Sequence, residues 1–173
     1  MRGIIRNVLN QSDIDSIFKL YNESSNIVEL YGELKNRHNI SSNLGMFLLS
    51  HFTQKEFQPF LSKIIPSIEA KERIELETTS CRVLKYTKDC FISKHRDIKT
   101  SEANSSLSVI IQLSNQDEYV GGKAIIDGEE SILQQGDLEY YTYSYEHEVT
   151  KIFSGCRYVI NLRINIKKDS TLI

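Results

Sequence analysis

A histidine and an aspartate stand two positions apart in the segment KHRD, at residues 94–97. In an extended segment, side chains two positions apart point to the same side, so His95 and Asp97 can reach one point. An imidazole nitrogen and a carboxylate oxygen are both ligands for a divalent metal ion. A third ligand must come from elsewhere, and His147 stands fifty positions after Asp97 at the start of a β-rich run. The three residues together predict a metal site.

The His-x-Asp pair by itself leaves two interpretations open. Such a pair also occurs on solvated loops that hold no metal, and His38 and His51 are further histidines for which a surface or helix-packing role is predicted. Two histidines and one carboxylate, in contrast, form the ligand set of non-haem iron(II) sites, which keep coordination positions open. The choice between the two depends on the sequence around the pair.

Four segments around these residues resemble, in order, the prolyl-hydroxylase-like branch of the 2-oxoglutarate/iron(II) oxygenases. They are YTKDCFISKHRD, LSVIIQLSNQDEYVGG, QQGDLEYYTYSYEHEV and SGCRYVINLRI. They are similar, respectively, to a tyrosine followed by His-x-Asp, a core strand with a Gly-Gly turn, a Gly-Asp turn before the distal histidine, and a closing strand that starts with Gly-x-Arg-Tyr. The resemblance covers roughly residues 80–166, about half of the chain.

The resemblance implies iron(II) held by His95, Asp97 and His147, with 2-oxoglutarate and dioxygen as co-substrates and ascorbate as an accessory reductant. Arg157 would bind the far carboxylate of 2-oxoglutarate, because a planar guanidinium can hold a carboxylate with two parallel hydrogen bonds. Tyr86 and Gln112 are implied as further co-substrate contacts. The alternatives are a surface salt bridge for Arg157 and a core tyrosine for Tyr86.

Arg163 departs from the family, because many relatives carry tryptophan six residues after the co-substrate arginine. The residues at 157, 159, 161 and 163 share one face of the predicted strand. A second guanidinium on that face requires an anionic partner or solvent. Arg163, and with it Arg96, is therefore a candidate substrate contact, with an acidic side chain of the protein as the other possible partner of Arg163.

The closely spaced tyrosines of the run LEYYTYSYE resemble a row of aromatic side chains on which nucleic-acid bases could stack. A period of two places Tyr141, Tyr143 and Tyr145 on one face of a strand and Tyr140 on the other. Core packing and the lining of a pocket are therefore the roles predicted for them.

The reaction that the resemblance implies is hydroxylation of a C–H bond, with a prolyl or other residue of a peptide or protein as substrate. A free amino acid or other small molecule is the alternative, since the short chain leaves little beyond the core to bind a polypeptide. Nucleic-acid demethylation and a non-catalytic ligand-binding β-barrel are further alternatives. The net charge of −2 argues against nucleic acid, whose binding proteins usually carry a basic footprint.

The elements that must position these residues divide the sequence in two. Residues 79–167 carry short β-rich runs separated by turns, which predicts a sandwich, barrel or jelly roll. The resemblance implies a double-stranded β-helix, a distorted, cupin-like jelly roll. Residues 1–78 are predicted to be mainly helical support on the outside of one sheet, in an α+β arrangement with a single domain over residues 1–173.

Two helices are predicted in the support region. The first begins at Ser12 with Asp15 in a capping box, and the second covers residues 53–70 from a start at Thr53 and Glu56. Two prolines inside the second helix, at positions 59 and 66, are expected to break or restart it. The polar stretch between the helices is predicted as a loop with one short strand.

The three cysteines, at positions 81, 90 and 156, show no CxxC spacing and are odd in number. They are predicted to be reduced thiols that act as small hydrophobic residues. The chain has no run of eighteen apolar residues and no N-terminal stretch typical of a signal peptide. A cytoplasmic protein without membrane association is the resulting expectation.

Overall fold

The computed structural model describes residues 1–25, 27–33, 43–97 and 104–167, with the backbone alone for 27–33 and 43–49. The two helices in these ranges are α1 (Gln11–Glu23) and α2 (Gln54–Glu72). The strands in these ranges are β1 (Arg2–Ile5), β2 (Ile27–Glu33), β3 (Asn43–Phe52), β4 (Leu76–Tyr86), β5 (Ile92–His95), β6 (Ser106–Gln112), β7 (Tyr119–Gly121), β8 (Ala124–Ile126), β9 (Glu129–Ser131), β10 (Leu138–Thr142), β11 (His147–Val149), β12 (Ile152–Gly155) and β13 (Arg157–Ile166).

Each helix begins at a capping box. In this motif the side chain of the N-cap residue accepts a hydrogen bond from the backbone N–H three residues later, and the side chain of that later residue accepts one from the backbone N–H of the N-cap residue. The box of α2 pairs Thr53 with Glu56, which confirms the predicted start. The box of α1 pairs Asn10 with Asp13, so the prediction of Ser12 with Asp15 was wrong by two residues. Asparagine caps at least as well as serine, and both registers satisfy the same sequence rule.

The expected break at Pro59 and Pro66 was also wrong, because α2 runs through both prolines. A proline in a helix interior costs about 3 kcal/mol. The helix also buries five large apolar side chains, and each contributes about 1.5–3 kcal/mol. These are Phe57, Phe60, Leu61, Ile64 and Ile68. Tertiary burial therefore outweighs local propensity here.

A seven-stranded antiparallel sheet forms the larger layer, in the order β1-β10-β6-β13-β4-β3-β2. One of its faces packs against both helices, which confirms the prediction that they cover the outside of one sheet. The helical side of this core includes Ile14, Ile17, Phe57, Ile64 and Ile68. The sheet side includes Val83, Val109, Ile111, Leu138, Tyr140, Ile160 and Leu162.

Strands β1, β2 and β3 lie within residues 1–78, so that region is less helical than predicted. Strand β1 pairs with β10, and β3 pairs with both β2 and β4. The predicted loop contains β2, which fits the one short strand expected there. Strand β3, which starts at the end of that loop, was not predicted, because its pairing with distant residues of β4 leaves only weak local alternation in the sequence. The remainder of that predicted loop, residues 34–42 with His38, lies outside the described residues.

The face of the large sheet that does not contact the helices lines the interior between this sheet and the two smaller ones. Two smaller sheets contribute to this interior, one in the order β5-β11-β8-β9 and one that pairs β12 with β7. A second apolar cluster joins the three sheets there. Its buried members are Leu84, Tyr86, Cys90, Tyr119, Ile152 and Val159, and the partly buried Ile92 and Val149 of the β5-β11-β8-β9 sheet pack against them. The architecture is thus mostly β with flanking helices, as the sequence predicts.

The cysteines carry no disulfide: Cys81 and Cys90 are buried and Cys156 is partly buried. Cys81 and Cys90 contribute to the two apolar clusters, in keeping with the predicted packing role. Neither of the described helices combines the length and the hydrophobicity that a bilayer crossing demands.

Gly155 forms the turn that leads into β13, and its replacement by alanine is expected to destabilise the protein by at least about 2 kcal/mol. Its φ is +74°, and an added Cβ would collide with the carbonyl oxygen of Glu118. Gly128 provides the matched control, since its φ is +84° with open space around it. Gly128→Ala should cost about 1 kcal/mol from backbone strain alone. Urea unfolding of both variants measures the difference, and equal losses would contradict the steric explanation.

Candidate metal and co-substrate site

His95 and His147 are brought together by the pairing of two short strands. His95 ends β5 and His147 begins β11, and the two residues are direct partners in the antiparallel register. Their ring centroids lie 4.2 Å apart. Asp97 follows His95 by two residues, and the Nε2 atom of His147 is 3.9 Å from its Oδ2 atom. The structure thus places the three predicted metal ligands in one cluster.

The dimensions of this cluster fit a bound divalent ion. One ligand atom from each of His95, Asp97 and His147 lies within 4.8 Å of the other two. Two ligand atoms that are each about 2.1 Å from an ion lie at most about 4.2 Å apart. The 3.9 Å separation between His147 and Asp97 meets this limit. The 4.8 Å bound on the whole cluster exceeds it by about 0.6 Å, so small side-chain adjustments bring all three atoms to a shared ion.

Backbone carbonyls orient both imidazoles. Nδ1 of His95 lies 2.7 Å from the carbonyl oxygen of Ser93, and Nδ1 of His147 lies 3.2 Å from that of Tyr145. An Nδ1–H that donates to a carbonyl leaves the Nε2 lone pair for a metal, which is the usual arrangement around ligating histidines. Burial lowers the pKa of His147, and the charge of Asp97 opposes this shift in part. The donor set therefore suits a metal.

Arg157 lies on the interior face of β13 and is 4% exposed. Its Nε donates to the Oε1 atom of Gln112 at 3.1 Å. The amide nitrogen of Gln112 in turn donates to the carbonyl of Ser114 and to the hydroxyl of Tyr119. Within the described part of the chain, Arg157 has no other hydrogen bond and no ion pair, so its two terminal nitrogens are available to a ligand. The alternative considered for Arg157, a surface salt bridge, therefore does not occur among the described residues.

Tyr86 lies beneath the Arg157 guanidinium, whose central carbon is 5.7 Å from the ring centroid. Burial raises the pKa of Tyr86 to about 12, and the charge of Arg157 opposes that rise. The hydroxyl therefore stays protonated at neutral pH and can donate. Contact of Tyr86 or Gln112 with a co-substrate stays a prediction, whereas the contact of both side chains with Arg157 is a feature of the structure.

A cavity of ≈ 50 Å³ opens beside Arg157 and Gln112, with Tyr119, Gly122 and Leu133 also in its lining. Its described lining contains none of the three metal candidates. Tyr141 lies between the metal candidates and the surroundings of Arg157. Its ring centroid is 5.0 Å from that of His147, and its buried hydroxyl interacts electrostatically with Tyr86, which lies beneath Arg157.

The other end of the interior face of β13 is open to solvent. Arg163 follows Arg157 by six residues, which corresponds to about 20 Å along a strand. Its side chain is 44% exposed, and its Nη2 atom lies 3.5 Å from Oδ1 of Asp97. Arg163 thus has both partners that the sequence predicted for it, a carboxylate and solvent. Arg96 is exposed, and its Nη2 atom lies 3.7 Å from Oε1 of Glu146.

Arg82 was missed by the sequence analysis. It lies on β4, two positions from Leu84 and four from Tyr86, both of which face the interior. A period of two along this strand could have identified it, because Tyr86 was already a candidate. The same periodicity succeeded on β10, where Tyr140 enters the core against the helices and Tyr141 lies beside His147.

Comparisons with known proteins agree on the fold. Neither a protein-family model nor a curated protein matches the sequence. A 2OG-Fe(II) oxygenase family oxidoreductase from Burkholderia pseudomallei superposes with a TM-score of 0.72 at 15% identity, over 95% of this chain and 84% of that one. A Trichoplax adhaerens prolyl hydroxylase in complex with a hypoxia-inducible-factor peptide gives 0.69 at 18% identity, over 95% and 83%.

A third similar structure binds a small molecule. It is HygX from Streptomyces hygroscopicus, with nickel, 2-oxoglutarate and hygromycin B bound, at a TM-score of 0.67 and 10% identity over 95% of this chain and 82% of that one. These similarities confirm the predicted fold class, the double-stranded β-helix with flanking helices.

Proposed function

We propose that this chain, which has the fold of the 2-oxoglutarate/iron(II) oxygenases, is itself an iron(II)- and 2-oxoglutarate-dependent oxygenase that hydroxylates a C–H bond. The observation that carries the proposal is the convergence of His95, Asp97 and His147, with Arg157 on the same interior. Two separate strands and a loop position the three ligands. None of the four residues belongs to either apolar cluster, so packing of the core does not explain why they lie together.

The residues of the chain would divide the work as follows. His95, Asp97 and His147 would hold iron(II), and Arg157 would bind the far carboxylate of 2-oxoglutarate in bidentate fashion. Gln112 would fix the rotation of the Arg157 guanidinium through the bond to Nε, and the neutral hydroxyl of Tyr86 could donate to the same co-substrate. The iron centre with 2-oxoglutarate and dioxygen would supply the oxidation, with succinate and carbon dioxide as co-products.

The buried surroundings of Arg157 strengthen its interaction with a carboxylate. A charge-assisted hydrogen bond is stronger in a region from which water is excluded than it is at the surface. Apolar side chains from three sheets, among them Ile152 and Val159, enclose this region. They would also limit the access of water to the oxidation chemistry.

A residue in a peptide or protein, prolyl above all, is the first substrate class that we propose. The similarity to the Trichoplax prolyl hydroxylase supports it. A free amino acid or another small molecule is the second class, supported by the similarity to HygX with its bound hygromycin B. The three thiols without disulfides suit the reducing cytoplasm, where we place the enzyme.

The test is anaerobic loading of the protein with iron(II) and 2-oxoglutarate, followed by oxygen and a panel of peptides and amino acids. Succinate release should depend on iron, and mass spectrometry should find a substrate that has gained one oxygen atom. Stimulation by peptides alone would favour the first class, and stimulation by free amino acids alone the second. A protein that binds neither metal nor 2-oxoglutarate would contradict the proposed function.

A further inference from the structure

Arg82 has a partly buried guanidinium for which the described residues offer no hydrogen-bond partner at Nε. Its Nε atom is buried and has no hydrogen-bond partner, and within the described ranges no hydrogen bond or ion pair involves the side chain. Leaving a charged donor buried and unpaired is costly, so such a group in a folded protein calls for an explanation. A ligand that completes its hydrogen bonds is one such explanation.

Arg163 lies close to Arg82 on the neighbouring strand. The register places Arg82 opposite Asn161 and Arg163 opposite Ser80, so the two arginines are diagonal neighbours on the interior face. Burial lowers the pKa of Arg82, and the positive charge of Arg163 lowers it further. The ring of Tyr143 lies under Arg163, 5.7 Å from the guanidinium carbon, and interacts with both arginines.

The carboxylate near this pair cannot neutralise it. Asp97 is the one carboxylate, among the described residues, whose charge raises the pKa of Arg82. Its contact with Arg163, at 3.5 Å, is long for a charge-assisted hydrogen bond. In the proposed function Asp97 also shares its negative charge with a divalent ion. Two positive charges beside the metal would then lack a counter-charge, at the solvent-exposed end of the interior.

We propose that Arg82 and Arg163 form an oxyanion-binding subsite for the substrate, which therefore carries a carboxylate or phosphate group near the C–H bond that is oxidised. This inference rests on the proposed function for its position beside the metal. Two guanidiniums at diagonal positions on neighbouring strands can offer several N–H donors to a single oxyanion, as arginines do in carboxylate and phosphate recognition. The ring of Tyr143 packs against the guanidinium of Arg163 and interacts electrostatically with both arginines.

This subsite is distinct from that of Arg157. Arg157 is buried and lies at the inner end of β13, where Gln112 holds it, whereas Arg163 lies about 20 Å further along the strand and is accessible. The inner arginine would hold the co-substrate, and the outer pair would select the substrate. A neutral substrate would leave Arg82 unpaired, so the pair also discriminates against it.

Calorimetry on the protein loaded with manganese(II) and 2-oxoglutarate tests the subsite with three probes. The probes are inorganic phosphate, N-acetylaspartate and its neutral counterpart N-acetylasparagine amide, in which both carboxylates are replaced by carboxamides. We expect at least one anion to bind, at least about tenfold more tightly than the neutral probe. Arg82→Gln and Arg163→Gln should each weaken that binding about tenfold or more, and lysine at either position should restore part of it. Lys85→Gln, which removes a charge from the outer face of β4, should have no effect.

Three results would overturn the inference: no anion binds, anions bind equally well to both glutamine variants, or these variants weaken 2-oxoglutarate as Arg157→Gln does. The last result would assign the pair to the co-substrate. Preference for phosphate over N-acetylaspartate, or the reverse, identifies the oxyanion. Failure of the proposed function has a separate signature, because the wild-type protein would bind neither manganese(II) nor 2-oxoglutarate while anion binding by the metal-free protein still depends on Arg82 and Arg163.

Discussion

Alanine at His95, Asp97 or His147 is expected to abolish iron-dependent succinate formation and to weaken manganese(II) binding by more than about 100-fold. Loss of outer-shell partners of a metal ligand already costs about 10- to 100-fold, and loss of a ligand itself should cost more. The three ligand atoms lie within 4.8 Å of one another, so each variant removes one corner of the cluster. Metal titration followed by electron paramagnetic resonance measures the affinity directly.

His51→Ala is the matched control for these variants. His51 lies on β3, is exposed, and is opposite Arg82 in the register rather than part of the cluster. Its replacement should leave metal affinity within about twofold of wild type. The far-ultraviolet circular dichroism of every variant should match that of the wild type, because none of the three ligands belongs to the apolar core. Undiminished metal binding by the His147 variant would refute the metal site.

Arg157→Gln is expected to raise the dissociation constant of 2-oxoglutarate by about 30- to 4,000-fold. Removal of one partner of a buried, hydrogen-bonded charge pair costs about 2–5 kcal/mol, and each 1.4 kcal/mol is tenfold in affinity. Arg157 is buried, and Gln112 already holds its Nε atom, so little reorganisation is required to bind a carboxylate. Calorimetry on the manganese(II)-loaded protein measures the change.

Pyruvate distinguishes a direct contact from a structural role of Arg157. It has the keto-acid end of 2-oxoglutarate but lacks the far carboxylate, so its affinity should change less than about threefold in the Arg157→Gln variant. Arg157→Lys should fall between wild type and glutamine, because lysine keeps the charge and loses the bidentate geometry. An equal loss for 2-oxoglutarate and pyruvate would mean that the substitution disturbs the site as a whole.

Those parts of the fold could be predicted that have a clear local sequence pattern or that fall within the segments resembling the family. The period of two in the runs around residues 80–86 and 157–166 identified β4 and β13 and assigned Arg157, Asn161 and Arg163 to one face. Strands β1 and β3 were not predicted, because they depend on pairing with residues distant in the sequence, on β10 and β4 respectively. The two prolines of α2 led to a wrong prediction of a helix break, because their unfavourable helix propensity costs less free energy than burial of the apolar helix face contributes.

The sequence alone determined which residues could form the site: His-x-Asp spacing, a distal histidine and an arginine at the head of the last strand are chemical types in a fixed order. Tertiary structure alone decided that His147 lies opposite His95 and that Gln112 accepts a hydrogen bond from Nε of Arg157. It also decided that Arg82 lies beside Arg163, with no hydrogen-bond partner for its Nε atom among the described residues. The reason is physical. Side-chain chemistry and alternation are local properties, whereas register between strands far apart in the chain is set by long-range backbone pairing and by burial of the whole sheet.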